Sequence, residues 1–213
     1  MNSYISHINF SSQITLMRKN GIKEGNTSRT SGIYRSCFSQ YYNKIPPRRS
    51  GKPYITHILD MLDFCLKDGI IDPRVLNGII LHDVVEECLQ KNSEDEIKTH
   101  LREVRSNQNE IDDMMLLTHD TDESKLEHMR SLLEKRNPYV VIVKSYDVYQ
   151  NMSVDFENLN PNSQEIKREQ KKLLEEFLSK QRPSFFSGIR VVRNSSPIRN
   201  ILLGRLQEID NRN

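Results

Sequence analysis

The sequence predicts an all-α fold, and three observations favour it. Apolar residues recur at helical spacing through most of residues 53–209. Residues that favour the first turn of a helix precede several of these segments. The one run that resembles a strand, Val140–Val143, has no second strand of comparable quality to pair with, and a lone strand is unstable.

The first part of the chain predicts little regular structure. Residues 1–36 are rich in Ser, Asn, Thr and Gly, so we expect a short helix at most and then a loop. Residues 37–52 end in a stretch containing prolines and a glycine, which predicts a loop between helices. Pro53 can open a helix, because its missing N–H costs nothing at the first position. The apolar stripe from Ile55 to Leu66 follows it.

The remaining helices are predicted from their caps and their periodicity. Asp72 and Pro73 suit the N-cap and first position of a helix that runs past Val85. Ser93 and Glu96 have the spacing of a capping box, which predicts another helix start. Further helices are expected over about residues 108–117, 123–136, 138–151, 165–181 and 198–209.

Length and charge suggest one domain with extensions. With 213 residues, we expect an N-terminal extension over 1–36, a helical domain over 37–181 and a basic C-terminal extension over 182–213. The net charge is only +2, which argues against a dedicated nucleic-acid binder. The basic tail, which includes Arg205, is expected to be solvated or to contact another copy, so a homo-oligomer stays open.

The composition indicates a cytoplasmic protein. The 3 cysteines form no CxxC pair, which argues against a thiolate zinc site, and their sparse number is typical of a reducing compartment. No apolar run approaches the roughly 18 residues that a membrane span needs. The N-terminus also lacks the basic start and apolar core of a secretory signal.

The most informative segment is the apolar run that carries His82 and Asp83, with Glu86 and Glu87 close behind. Burying these groups among apolar side chains is costly unless something compensates them. A divalent cation is the natural compensation, because neutral His and ionised Asp are both metal ligands. The alternatives are a buried ion pair between His82 and Asp83, and a solvated helix surface for Glu87.

Two other predicted helices offer further ligands. His57 follows Pro53, and Asp147 shares a helix face with Lys144 and Asn151. These faces could converge with His82 on one point. Taken alone, His57 would more often be a hydrogen-bonded core histidine, and Lys144 has an even chance of being an ion-pair partner of Asp147.

Three segments together resemble the HD hydrolase domain of the RelA/SpoT family, and most of all its small stand-alone alarmone hydrolases. The segments are Gly51-Lys52-Pro53-Tyr54-Ile55-Thr56-His57, Leu81-His82-Asp83-Val84-Val85-Glu86-Glu87, and Val143-Lys144-Ser145-Tyr146-Asp147 with Asn151-Met152. The resemblance covers roughly residues 38–155. It implies an all-α fold and removal of pyrophosphate from the 3′ position of guanosine tetra- and pentaphosphate.

The resemblance also implies roles for individual residues. It implies one metal ion, usually Mn²⁺, although other divalent metals stay open. The matching ligands are His57, His82, Asp83 and Asp147. Glu86 and Glu87 would orient the attacking water. Arg48 would contact the base, Asn151 the ribose and phosphate region, and Lys144 the anionic end of the substrate.

One departure from the family pattern keeps other functions open. The family usually has Glu-Asp-Thr where this chain has Glu86-Glu87-Cys88. The longer acid at position 87 leaves a catalytically weak nucleotide-sensing module as an alternative. Hydrolysis of an adenosine alarmone or of NADPH is another. Outside the motifs, His128 has no partner pattern and is expected at the surface.

Overall fold

Helices supply the regular structure of the computed structural model, which describes residues 2–42, 44–48, 50–89, 92–104, 106–118, 124–154, 156–192 and 196–210. For residues 2–9 and 87–89 it describes the backbone alone. The α-helices are α1 (Asn2–Lys19), α2 (Glu24–Cys37), α3 (Ile55–Lys67), α4 (Pro73–Asp83), α5 (Glu94–Glu103), α6 (Gln108–Leu117), α7 (Lys125–Glu134), α8 (Pro138–Val154), α9 (Pro161–Lys180) and α10 (Ile198–Glu208). π-helical turns follow α2 (Phe38–Tyr42) and α4 (Val84–Leu89), and 3-10 turns cover Phe156–Asn158 and Pro183–Phe186.

The all-α prediction is confirmed. The described residues contain no strand, only an isolated antiparallel bridge between Ile70 and Val191. The capping box at Ser93 begins α5, and the Asp72 side chain accepts a hydrogen bond from the Arg74 N–H at the start of α4. The segment after Pro138 is the helix α8, as predicted. None of the described helices is long and apolar enough to cross a membrane.

The prediction for residues 1–36 is wrong, because α1 and α2 occupy most of that segment. α2 contains many poor helix formers, and tertiary packing stabilises it: Thr27 and Thr30 are buried, and the helix packs on α4. The rings of Phe10 and Tyr34 stack with centroids 3.6 Å apart and join α1 to α2. The division of the chain into three segments stays a prediction.

The centre of the fold is α8, in which every residue from Val140 to Met152 is buried. It packs against α3, α4, α6, α7, α9 and α10. Gly78 permits its close approach to α4, because a Cβ there would lie 2.9 Å from Cγ2 of Val143. The approach brings the end of α4 beside the polar middle of α8.

The C-terminal helix α10 is confirmed, but its basic residues are not all solvated. The Arg205 guanidinium donates to both carboxylate oxygens of Asp68, with distances of 2.9 and 2.6 Å. Asp68 also accepts from the Tyr146 hydroxyl of α8, 2.8 Å away. The expectation of a solvated role is therefore wrong for Arg205, which holds α10 against the bundle, and a contact of this helix with another copy stays a prediction.

Candidate metal centre

The helices α3, α4 and α8 bring the four predicted metal ligands together. His57 lies on α3, His82 and Asp83 end α4, and Asp147 lies in α8; all four are buried. Nε2 of His57 lies 3.5 Å from Oδ2 of Asp83 and 3.5 Å from Oδ1 of Asp147. One ligand atom from each of His57, His82 and Asp83 lies within 4.8 Å of the others. This grouping fits a single cation.

Hydrogen bonds on the far side of each ring direct both histidines into the cluster. Nδ1 of His57 lies 2.5 Å from the side-chain oxygen of Gln150, and Nδ1 of His82 lies 2.8 Å from the carbonyl oxygen of Ile79. Both partners are acceptors, so each Nδ1 carries the proton and donates it. The lone pair of each Nε2 therefore faces the carboxylates, as a metal ligand requires.

Two buried atoms of the cluster lack hydrogen bonds. Among the described residues, neither Nε2 of His82 nor Oδ2 of Asp83 has a hydrogen-bond partner. Nε2 of His82 lies 3.2 Å from Oδ1 of Asp83, but the contact is not a hydrogen bond. Buried polar atoms are rarely left unpaired, so these two fit the donor set of a bound cation better than an ion pair.

Asp147 divides its two oxygens between the cluster and the neighbouring cations. Oδ1 faces His57 and accepts from the Asn151 amide at 2.5 Å, whereas Oδ2 lies 2.9 Å from Nζ of Lys144 and 3.5 Å from Nζ of Lys167. The predicted ion pair between Lys144 and Asp147 is thus present. Burial raises the pKa of Asp147, but the two ammonium charges outweigh it and hold that pKa well below its usual range.

The pKa values of Lys144 and Lys167 shift in opposite directions. Burial lowers the pKa of Lys144, but the charges of Asp147 and Glu86 outweigh burial and raise it above its ordinary value. For Lys167, burial prevails over the attraction of Asp147 and lowers the pKa. Lys144 is therefore firmly cationic beside the cluster.

The two predicted catalytic acids lie on the π-helical turn Val84–Leu89. Glu86 faces the cluster: its Oε1 is 3.8 Å from Nζ of Lys144, and the side chain lines the adjoining pocket. A π-helical turn changes the direction of side chains relative to a regular helix, and such turns recur at functional sites. The side chain of Glu87 lies outside the described part of the chain, so its predicted role stays a prediction.

Three members of the cluster, His57, Asp83 and Asp147, line a pocket of about 520 Å³. This volume lies within the usual range for small-molecule sites. The basic side chains that line it are Arg48, Lys125, Lys144 and Lys167. Asp83, Glu86 and Asp147 are the acids. The pocket thus combines cations with carboxylates, a lining suited to a ligand with several anionic groups and to a metal ion.

The predicted substrate residues Arg48 and Asn151 meet in this pocket. Nη2 of Arg48 donates to Oδ1 of Asn151 at 2.5 Å, and the guanidinium lies 5.7 Å from the ring centroid of Tyr54. Asn151 in turn donates to Asp147. Arg48, on the loop after the first π-helical turn, is thereby connected to the candidate metal ligands.

Several pocket residues had no signal in the sequence. The surface prediction for His128 is wrong: its ring is buried, its Nε2 contacts the Leu117 carbonyl oxygen at 3.1 Å, and it lines the pocket. Lys125 and Lys167 lie in polar helices, where a functional lysine looks like any solvated one. Only the folding of α7 and α9 onto α8 brings them to the pocket.

Comparison with known proteins yields no relative: no protein-family model matches the chain, and neither does any curated protein.

Proposed function

We propose that this protein is a metal-dependent phosphohydrolase that removes pyrophosphate from the 3′ position of a guanosine alarmone. The observation that carries the proposal is the buried cluster beside the pocket, in which Nε2 of His82 and Oδ2 of Asp83 lack partners among the described residues. The basic side chains that line the pocket support a polyphosphorylated ligand. The guanosine substrate rests on the resemblance of the three sequence motifs to RelA/SpoT-type hydrolases.

The cation would be held by His57, His82, Asp83 and Asp147, and Mn²⁺ is the ion that the resemblance implies. Nitrogen and carboxylate donors together suit a divalent transition metal. When bound, such an ion lowers the pKa of a water molecule and neutralises charge on a phosphate group. The histidine tautomers described above keep both Nε2 atoms available for it.

Glu86 is the group we assign to the attacking water. Its carboxylate lines the pocket next to the cluster, where it can orient a water and accept its proton. The buried ammonium of Lys144 lies 3.8 Å from Oε1 of Glu86 and helps to hold that carboxylate beside the cluster. Water then attacks the phosphorus that carries the 3′ oxygen, and that oxygen leaves with the nucleoside 5′-diphosphate as pyrophosphate is released.

The rest of the pocket would orient the nucleotide. Arg48 and Tyr54 present a guanidinium and an aromatic face, both of which can stack on a base. Lys125 and Lys167 can bind phosphates that do not react. Cys37 and Cys65 are thiols outside any disulfide, which supports the reducing cytoplasm as the place of this activity.

The proposal is tested by product analysis. Chelator-treated full-length protein is given Mn²⁺ and a panel of guanosine 3′,5′-bis(diphosphate), its adenosine counterpart, NADPH and GTP, and ³¹P NMR identifies the phosphorus released. We expect pyrophosphate and GDP from the first substrate. Asp83→Asn should abolish the reaction, whereas Asp112→Asn, at an exposed position of α6, should not change it.

Each other result has a definite meaning. Turnover of only the adenosine alarmone or NADPH would replace the guanosine substrate with that nucleotide. Binding of Mn²⁺ and nucleotide without any turnover would overturn hydrolysis and leave a nucleotide sensor. Full activity in Asp83→Asn would show that the cluster is not the active site.

A further inference from the structure

The orientation of His57 depends on a second side chain. Its Nδ1 lies 2.5 Å from Oε1 of Gln150, which is on α8 and only 1% exposed. The other end of that amide donates from Nε2 to Oδ2 of Asp60 on α3, at 3.3 Å. Asp60, Gln150 and His57 thus form a continuous chain of hydrogen bonds that ends at the candidate metal centre.

Asp60 determines the direction of this chain. An ionised carboxylate can only accept hydrogen bonds, so the Gln150 amide must turn its NH₂ toward Asp60 and its oxygen toward His57. An oxygen acceptor at Nδ1 requires the proton on that nitrogen. Nε2 is then left with a lone pair, 3.5 Å from carboxylate oxygens of both Asp83 and Asp147.

The sequence places the members of the chain on matching helix faces. His57 and Asp60 are three residues apart on α3, and Asp147 and Gln150 have the same spacing on α8, so each pair occupies one face. The packing of α3 against α8 brings the two pairs together. The same face of α8 therefore supplies the candidate metal ligand Asp147 and also Gln150, the hydrogen-bond partner of the candidate ligand His57.

His82 provides a contrast within the same cluster. Its Nδ1 is oriented by the carbonyl oxygen of Ile79, one turn earlier in its own helix, and no side-chain substitution removes that partner. Nδ1 of His57 is instead oriented by the side chain of Gln150. Substitutions at Gln150 should therefore affect one ligand of the cluster and spare the other.

We propose that Gln150, held by Asp60, is a positioning residue that sets the tautomer and orientation of His57 for metal binding. This inference rests on the metal site of the proposed function. Outer partners of metal-binding histidines fix the ring and raise its basicity, and their loss typically weakens metal affinity by about 10–100-fold. Gln150 contacts no substrate in this role and acts only through His57.

Metal affinity is the first test. Chelator-treated full-length protein is titrated with Mn²⁺ by calorimetry, and Gln150→Met removes both hydrogen-bonding groups at similar volume. We expect affinity about 10–100-fold weaker than wild type. Gln181→Met is the matched control, since Gln181 is also buried and hydrogen-bonded but lies beyond the end of α9, and it should bind Mn²⁺ normally. Unfolding midpoints in chelator show that both variants fold.

A second variant and a second readout separate positioning from general damage. Asp60→Ala, at a partly exposed position, removes the carboxylate that accepts from the Gln150 amide and should weaken Mn²⁺ binding in the same direction. NMR of ¹⁵N-labelled histidine in metal-free protein should show the Nδ1–H tautomer of His57 in wild type and a mixture in both variants. The tautomer of His82 should not change.

A double variant provides the rescue. Gln150→Glu with Asp60→Asn keeps an oxygen facing His57 and reverses the second hydrogen bond, because the new amide donates to the new carboxylate. It should restore Mn²⁺ affinity. Wild-type affinity and an unchanged His57 tautomer in both Gln150→Met and Asp60→Ala would overturn the inference. Failure of the wild-type protein to bind Mn²⁺ would instead overturn the proposed function.

Discussion

Helix α4 carries two buried polar clusters whose carboxylates differ in how completely they are paired, although Oδ1 of Asn77 in the first cluster also lacks a partner among the described residues. At the first, Glu110 of α6 accepts from Arg29 at 2.8 Å, from the Asn77 amide at 2.7 Å and from the backbone N–H of Asn107 at 2.9 Å. At the second, six residues on, the cluster around Asp83 contains carboxylate and imidazole atoms without a partner among the described residues.

The contrast distinguishes a structural acid from a ligand. Glu110 is only 1% exposed, yet its carboxylate joins α2, α4 and α6 through paired bonds, so its burial needs no further compensation. Asp83 is also buried, but its Oδ2 has no partner among the described residues, which is destabilising in the absence of a ligand. A bound cation would compensate the Asp83 carboxylate as Arg29 compensates that of Glu110.

The largest expected effect is at Asp83. Asp83→Asn keeps the shape but removes a charged ligand, so Mn²⁺ affinity should fall by more than the roughly 100-fold cost of losing an outer partner. The new amide can donate to Nε2 of His82, so the metal-free protein should remain as stable as wild type. Calorimetric titration and chemical unfolding in chelator measure the two quantities. Retained Mn²⁺ affinity would show that Asp83 is not a metal ligand and that the two carboxylates do not differ in this way.

Glu110 should give the opposite result. Glu110→Ala leaves Arg29 and Asn77 without their acceptor and should lower the free energy of unfolding by about 3 kcal/mol. The loss should be small for a broken buried ion pair, because the Arg29 side chain is 31% exposed and can turn to water. Mn²⁺ affinity should not change. Asp112→Ala, exposed on the same helix, controls for loss of an acid alone.

Added metal should then separate the two variants. At free Mn²⁺ about 100 times the dissociation constant, binding to the folded state alone should raise the unfolding free energy by about 2.7 kcal/mol. Wild type and Glu110→Ala should gain equally, and Asp83→Asn should gain nothing. Urea unfolding with Mn²⁺ or with chelator measures the gain. An equal gain in all three proteins would place the cation elsewhere.

The sequence predicted the helices whose start and apolar face are both local features. Ser93 and Glu96 form the capping box of α5, and Asp72 caps α4, as expected. α2 could not be predicted in this way, because Thr27 and Thr30 are poor helix formers whose burial against α4 is a long-range effect. Local signals predict a helix only where they are not overridden by packing.

The candidate site shows the same difference between residues with a local signal in the sequence and residues whose role depends on packing. His57, His82, Asp83 and Asp147 were predicted because imidazoles and carboxylates in apolar surroundings are unusual, and the structure brings them together. Gln150 was not predicted, because an amide side chain in a helix has no distinctive sequence pattern. Its importance follows from which ring nitrogen it contacts, a relation between α3 and α8 that periodicity does not contain.

The smallest expected effect lies between the two clusters, where the Tyr42 hydroxyl donates to the Ile80 carbonyl oxygen of α4 at 2.5 Å. In a regular α-helix the Ile80 carbonyl oxygen would accept from the backbone N–H of Val84. That N–H bonds to the Leu81 carbonyl oxygen instead, because α4 changes there to the π-helical turn that carries Glu86. Tyr42→Phe should therefore cost about 1 kcal/mol, the net value of one hydrogen bond.

The substitution Tyr42→Phe should affect catalysis and not metal binding. The metal ligands on α4 precede the turn, so Mn²⁺ affinity should be preserved, while a less precisely placed Glu86 should lower kcat. Tyr41→Phe is the matched control, since that hydroxyl contacts His100 of α5. Unfolding free energy, Mn²⁺ titration and single-turnover rates distinguish the results. A loss of metal affinity in Tyr42→Phe would mean that the turn positions the metal ligands of α4 as well as Glu86. The pairing of the α4 main-chain atoms would then matter to metal binding and to catalysis.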